Sequence, residues 1–252
     1  MIARYGFWNN KRYNLEKMTF QELVSAYFQY FAINVYLMVA LVSAIIAVLT
    51  VERPLYALAA ASVSIVAYPL FWYLLHRFLL HAQFPYKNKF LAKSWKRVHF
   101  DHHQDPHDLG VLFGALNMTL PTVFLITAPI GYWFDGFGGS AAAFSGGLLL
   151  TCFYEFAHCI QHLSYKPKNK AMALMKKRHL EHHFHSEKGN YGITNFFWDK
   201  LLGTYYMKKT NPVKSPTVHN IGYTPEMAQK YPWVAELTEG LPAGYYKKSK
   251  KN

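Results

Sequence analysis

The chain has 252 residues, 52% of them hydrophobic, and 27 Lys and Arg against 14 Asp and Glu give a formal charge of +13. That length supports one domain with a substantial core. Its two cysteines, Cys152 and Cys159, sit seven apart in an apolar stretch, which excludes a disulfide framework and fits no C-x-x-C zinc or redox motif; they read as small buried residues. A charge of this size suits nucleic acid or an anionic membrane surface, and the apolar residues decide for the membrane.

The first element is signalled by "TFQE", where Thr19 and Glu22 have capping-box spacing, so residues 1–30 read as an N-terminal arm with an interfacial helix. Two uncharged stretches follow, "FAINVYLMVALVSAIIAVLTV" (31–51) and "LYALAAASVSIVAYPLFWYLL" (55–75). At ~1.5 Å per residue each spans a ~30 Å hydrocarbon core, and neither has the cleavage site of a signal peptide. Residues 84–98, "FPYKNKFLAKSWKRV", mix Phe and Trp with lysines and predict an amphipathic piece on the lipid headgroups. Two softer apolar stretches, 109–133 and 141–157, are joined by "DGFGGS"; Pro121 and Pro129 predict kinks in the first of them. From 206 to 252 the chain is polar and proline-punctuated, which reads as a tail without an assignable motif, ending in a solvated "KKSKKN".

Charge then orients the chain. Arg53 is the one cation between the first two stretches and none lies between the last two, while the other twenty-six fall in the arm, in 76–108 and after 163. The positive-inside rule places those three regions and both termini in the cytoplasm. The net charge is thereby an orientation and headgroup feature, and nucleic acid is not an expected partner.

Twelve of thirteen histidines lie between 76 and 185, and ten sort into four groups. His76 and His81 form H-x4-H; His99, His102 and His103 form H-x2-H-H; His158 and His162 form H-x3-H; His179, His182 and His183 repeat H-x2-H-H. Spacings of three and four put side chains on one helix face. H-x4-H leaves two imidazoles about 140° apart on an ideal helix, so this pair must straddle a site or lie where the helix unwinds. All four groups fall on the cytoplasmic side. Ten ligands are too many for one ion and more than a structural zinc needs, no thiolate is at hand, and "HLEHH" is not the H-E-x-x-H of a zinc protease. Imidazole suits zinc, copper, iron and nickel, and two redox-active irons fit the count best.

"HRFLLH", "HFDHH", "HCIQH" and "HLEHH", followed by "NYGITNFFWDKLLGT", resemble the fatty acid hydroxylase and sterol desaturase superfamily of membrane di-iron oxygenases, over roughly 65–205. The first box and the gaps between boxes are most similar to fatty acid 2-hydroxylases. The resemblance implies an all-α membrane protein of about four transmembrane helices, with a cytoplasmic helical cap that holds a dimetal site. Residues 31–205 would form the catalytic domain.

The resemblance also implies that His76, His81, His99, His102, His103, His158, His162, His179, His182 and His183 bind two irons, which zinc can replace on purification. Asp101, Glu155, Glu181 and Asp105 are candidates to accept a ring N–H from these histidines. Asn190, Tyr191 and Gly192 would shape a turn over the site, with Trp198 and Asp199 packing it. His107, after the register-breaking Pro106, and His185 stand outside the ten.

An unactivated C–H bond demands a cofactor, so the expected reaction is hydroxylation of an acyl chain with dioxygen. Its electrons would come from an external reductase and carrier, because the arm is too short for the fused cytochrome-type domain of many eukaryotic relatives. Two other readings stay open. One is a sterol, carotenoid or alkyl-lipid hydroxylase or desaturase of the same superfamily. The other is a histidine-rich metal transporter or sensor, although transport sites usually lie near the bilayer midplane.

Overall fold

The computed structural model describes residues 13–211 and 213–238. The first twelve residues of the expected arm and the lysine-rich terminus lie outside them.

Among the described residues the structure is helical. Helix α1 (Phe20–Phe28) starts at the expected capping box: Glu22 N–H donates to Thr19 Oγ1 (3.2 Å) and Thr19 N–H to Glu22 Oε2 (2.8 Å). Helices α2 (Phe31–Thr50) and α3 (Pro54–Leu75) follow, and α3 runs on through a wide turn, His76–Leu80. Short helices α4 (Phe84–Lys87), α5 (Lys89–Trp95), α6 (Asp101–Gln104) and α7 (Leu109–Leu112) lead to α8 (Leu116–His162) and α9 (Lys170–Phe184).

Three helical segments, Phe31–Thr50, Pro54–Leu80 and Leu109–His162, are long and apolar enough to cross a membrane. Their outward residues are apolar: Met38, Leu41, Ile45 and Val48 on α2, Leu55, Leu58 and Val66 on α3, and Leu125, Trp133 and Phe153 on α8 are all exposed. Small residues face inward, among them Ala32, Ala40 and Ala47 of α2, Ala60 and Ser64 of α3, and Gly147 of α8. The Ser145, Thr127 and Thr151 hydroxyls are tied to the backbone, as Ser145 Oγ is to Ala40 O (2.8 Å). An apolar exterior over a small-residue interior is the pattern of helices packed in lipid.

The chain stays helical through Pro121 and Pro129 and breaks at Asp135 (ψ 41°) and Gly136 (φ 53°). A proline removes one hydrogen bond but keeps a helical φ, whereas a left-handed residue reverses the chain. Contacts across the break show an antiparallel hairpin: Ser140 Oγ donates to Ala128 O (2.8 Å), and the Phe124 and Phe144 rings meet at 5.2 Å. The turn is shorter than the expected "DGFGGS" loop, because Phe137–Ser140 are already helical. Buried Asp135 fixes it to the α2–α3 loop by accepting from Glu52 N–H (3.2 Å), Arg53 N–H (3.0 Å) and Arg53 Nε–H (3.2 Å). Both loops therefore share one end of the bundle, and the histidine-bearing ends of α3 and α8 share the other.

Residues 84–95 divide as an interfacial segment should. Phe90 is 90% exposed beside exposed Phe84, Leu91, Lys87, Lys89 and Lys93, while Tyr86, Ala92 and Trp95 are buried. Those buried rings form a second core with Ile221, Tyr223, Ala228 and Val234. Residues 213–238, polar as they are, thus pack onto the histidine-bearing end, with Trp233 Nε1–H donating to Tyr86 O (2.5 Å).

The hairpin's close approach is testable. A Cβ on Gly139 would lie 2.2 Å from Gly131 O, while one on Gly136 meets nothing within 4 Å. Gly139→Leu should destabilise the bundle by at least about 1–3 kcal/mol, as overpacking does. Gly146→Ala, whose Cβ would make only an ordinary 3.8 Å contact with Ala61 Cβ, should cost less. Thermal melts in detergent compare them, and equal effects would contradict the hairpin packing.

Candidate metal centre

The H-x4-H problem is solved by the backbone. At His76–Leu80 the helix widens so that His81 N–H donates to His76 O, five residues back (3.1 Å). A single π-type turn of this kind brings residues five apart above one another, and the Nε2 atoms of His76 and His81 stand 3.2 Å apart. A second wide turn, Lys96–Phe100, carries His99. His99 Nε2 lies 3.2 Å from His76 Nε2 and 2.8 Å from His81 Nε2, closing a triangle of imidazole nitrogens. Ligands on one ion at ~2.0–2.1 Å stand roughly 2.9–3.4 Å apart, so the triangle has the dimensions of one face of a metal shell.

The ten histidines fall into two groups of five, each offering ring nitrogens within 4.8 Å of one another: His76, His81, His99, His103 and His182, and His102, His158, His162, His179 and His183. Each H-x2-H-H box is split. The i, i+4 pair of one box, His99 and His103, joins the first group and that of the other, His179 and His183, joins the second; the middle residues, His102 and His182, cross over. The groups adjoin, the His103 and His183 rings being 4.3 Å apart. His107 and His185 belong to neither. His107 Nδ1–H donates to His162 O (3.1 Å), and His185 Nε2–H donates to Asn211 O (2.5 Å).

Backbone carbonyls orient the rings. His76 Nδ1–H donates to Tyr191 O (2.6 Å), His182 Nδ1–H to Gly189 O (2.7 Å) and His103 Nδ1–H to Val218 O (3.0 Å). Each bond puts the proton on Nδ1 and leaves Nε2 a free lone pair, the tautomer a metal needs. The proposed carboxylate partners are engaged elsewhere: Asp101 with Lys96 (2.7 Å), Glu181 with Arg178 (2.5 Å), and Glu155 with Gly114 N–H (3.1 Å). Asp105 makes backbone bonds through its N–H and C=O at the end of α6. Among the described residues no carboxylate accepts from a histidine of either group.

The N-Y-G and W-D-x-x-x-G-T elements work together through Asp199. Its carboxylate accepts from Tyr191 N–H, Gly192 N–H and Thr204 Oγ1–H, each at 2.8 Å. Asn190, at φ 54°, locks the same turn by exchanging two 3.1 Å bonds with the backbone of Tyr206. A Cβ on Gly192 would lie 2.0 Å from Asn195 O, so only glycine fits. This turn aims Tyr191 O at His76 and sets the Tyr191 ring against His76, His81 and His182 at 5.5, 5.2 and 5.6 Å. Half-buried Trp198 packs beside Phe197. The Val218 carbonyl is placed by Glu187, which accepts from Ser215 Oγ (3.0 Å) and Thr217 Oγ1 (2.5 Å).

Burial keeps the imidazoles neutral. Desolvation holds His81, His99, His102, His103, His179 and His183 well below the ordinary 6.5 and His182 at about 4, and neighbouring histidines push the same way. Several ring nitrogens are buried with no hydrogen-bond partner: Nε2 of His103, His158 and His182, Nδ1 of His162 and His179, and both nitrogens of His102 and His183. Buried polar atoms are rarely left so. An all-imidazole, neutral, inward-facing donor set with orphaned lone pairs fits two divalent transition-metal ions.

A cavity of about 20 Å³ lies among the histidines, lined by His76, His99, His102, His158, His179 and His183 together with Glu155 and Trp72. Beside it an apolar cavity of about 120 Å³ runs between α3, α5 and α8, and its walls include the exposed Leu79, Leu91 and Met118. The two share Trp72, Leu80, Val98 and Gly114.

A fatty acid hydroxylase family profile matches residues 61–204, more than half of the chain. Mouse fatty acid 2-hydroxylase is 29% identical over 148 residues, covering 57% of this chain and 39% of the relative. The ceramide very long chain fatty acid hydroxylase scs7 of Schizosaccharomyces pombe is 34% identical over 149 residues, covering 56% and 41%. The solved scs7p, with only its hydroxylase domain visible, superposes with a TM-score of 0.59 at 25% identity, covering 70% of this chain and 66% of that one. The chain thus spans about two fifths of the mouse and fission-yeast relatives. With the histidine groups and the fold agreeing, the chain belongs to the fatty acid hydroxylase family.

Proposed function

We propose that this protein hydroxylates the acyl chain of a membrane lipid or fatty acid, as the names of the mouse and yeast relatives give for those proteins, and beside the carbonyl, as the mouse name, fatty acid 2-hydroxylase, gives for that one. The observation that carries the reading is the apolar cavity that adjoins two groups of five imidazoles, all buried except the half-buried His81. Each group would hold one iron, with His76, His81, His99, His103 and His182 on the first and His102, His158, His162, His179 and His183 on the second. Bound iron would supply the dioxygen chemistry that no side chain can perform on a methylene.

The chain's own residues do the rest. Tyr191 O, Gly189 O and Val218 O hold the protons of His76, His182 and His103 on Nδ1 and keep Nε2 turned inward. Leu80 and Val98 line the passage from the apolar cavity and keep it dry. Electrons would come from an external reductase and carrier. The hairpin of α8 gives four membrane crossings in this reading, with the metal centre and both termini on the cytoplasmic side, as the twenty-six Lys and Arg outside the Arg53 loop favour. Residues 31–205 would be the catalytic domain and 206–252 an appended cytoplasmic segment.

Three outcomes follow from this reading. His182→Ala and His183→Ala should each lower bound metal and abolish turnover, while His185→Ala should keep both. Asp199→Ala, which frees the turn that aims Tyr191 O, should weaken metal binding about 10–100-fold, the usual cost of losing an outer-shell partner. Elemental analysis of the purified variants separates these cases, and full metal in His182→Ala would contradict the ligand assignment.

The second concerns pH. Above 6.5 the site imidazoles are neutral folded or unfolded, so they contribute no pH dependence. Below it the unfolded chain takes up protons that the folded site refuses, and stability falls with pH until the folded values are reached, about 4 for His182. Near-UV circular dichroism of metal-free protein in detergent should lose its signal as pH falls from 6.5 toward 4. A signal flat over that window would contradict the neutral burial.

The third concerns the reaction. Under oxygen-18 gas with a reductase system, mass spectrometry should find one labelled hydroxyl on the acyl chain. Label drawn from water would contradict oxygenation, and a product lighter by two hydrogens without label would make the enzyme a desaturase.

A further inference from the structure

The passage between the two cavities is walled by Trp72, Leu80, Val98 and Gly114, and of these only Trp72 has a polar side-chain atom. Its indole Nε1–H is buried and meets no acceptor among the described residues. An indole nitrogen can only donate, and buried donors in native proteins are almost always paired. An orphan donor at the one point where an apolar cavity meets a metal centre is explained by an acceptor that arrives with the ligand.

The surroundings make the indole a fixed donor. Tyr154 packs edge-on against it at 4.8 Å, and Tyr68 backs Tyr154 at 5.6 Å. Three of the other polar groups of the larger cavity are engaged: Tyr68 Oη–H donates to Thr151 Oγ1 (3.1 Å), Thr122 Oγ1–H to Met118 O (2.8 Å) and Trp95 Nε1–H to Leu80 O (2.7 Å). Glu155, on the histidine side, is an acceptor tied to Gly114 N–H (3.1 Å). An incoming lipid therefore meets mostly apolar walls along its chain and, at the end nearest the histidines, an indole donor left without an acceptor.

We infer that Trp72 Nε1–H donates to the carbonyl oxygen of the acyl substrate and so sets which carbon faces the metal centre. The chain lies in the apolar cavity, the carbonyl is held at the passage, and the neighbouring methylene is the one presented to the histidines. This rests on the acyl-hydroxylation reading for its substrate, and the indole is a substrate anchor rather than a metal ligand.

The test uses Trp72→Phe, which keeps an aromatic ring and loses the donor, and Trp72→His, which restores a ring N–H. Metal content of both should match the wild type. Competition binding in detergent micelles compares methyl hexadecanoate with octadecane, probes of similar length with and without a carbonyl. Trp72→Phe should weaken the ester about 3–10-fold, the range of one hydrogen bond, and leave octadecane unchanged, and Trp72→His should recover part of the loss. In turnover, Trp72→Phe should raise KM more than it lowers kcat and spread the hydroxyl to positions beyond the first methylene. Equal weakening of both probes, or an unchanged preference with a single product, would overturn the anchor. Wild-type protein that hydroxylates no acyl lipid would defeat the acyl-hydroxylase reading instead, and the ester preference would still decide on the anchor.

Discussion

Ten imidazoles share one buried cluster, and a charge on any of them would be held against its neighbours as well as against desolvation. The fold meets this constraint by keeping every ring neutral and aiming a lone pair inward, and most of the architecture around the site serves that end. Three ring protons are handed to backbone carbonyls, at Tyr191, Gly189 and Val218. A carbonyl can orient a ring without adding negative charge. A carboxylate in its place would favour the imidazolium and raise the ring's basicity. The nearby acids are consumed by cations or backbone amides instead, Asp101 by Lys96 and Asp199 by the turn it braces.

Geometry follows from the same requirement. Ordinary helices cannot aim residues five apart at one point, and the wide turn at His76–Leu80 does so at the end of a helix otherwise regular enough to cross a bilayer. The split of each H-x2-H-H box is a helical consequence: positions i and i+4 point one way and i+3 lies off to the side, so two adjacent ions can share two helices. The opposite end of the bundle is closed by Asp135 and Arg53, which leaves the histidine end as the place where chain segments converge.

Much of this was legible in the sequence because it is written in side chains. Uncharged runs marked the spans, Thr19 and Glu22 the first helix, and the spacing of ten histidines the site. The H-x4-H spacing even required an unwound or straddling geometry, although not which one. What the sequence concealed depends on backbone. Nothing in the letters at 189, 191 or 218 announces an acceptor for an imidazole, because every residue has a carbonyl. The polar stretch after 206 read as a tail for the same reason, since Ile221, Tyr223 and Val234 are isolated apolar residues whose partners, Tyr86 and Trp95, lie more than a hundred positions earlier. Carboxylates near the boxes are close to the histidines in sequence, yet Asp101 and Glu181 pair with the local cations Lys96 and Arg178, and Glu155 with the distant Gly114 N–H. The α8 reversal falls at Asp135–Gly136, inside the "DGFGGS" connection, because a glycine at positive φ turns a chain; the sequence did not show how short that turn is.

The central proposal is that two groups of five neutral imidazoles, and no other protein donors, would hold two metal ions. X-ray absorption at the metal edge, combined with elemental analysis of the purified protein, tests it most directly. The account predicts two ions per chain and a first shell of nitrogen and oxygen at ~2.0–2.2 Å with the outer-ring scattering of several imidazoles. One ion or fewer per chain at full occupancy, or a shell containing sulfur, would contradict it.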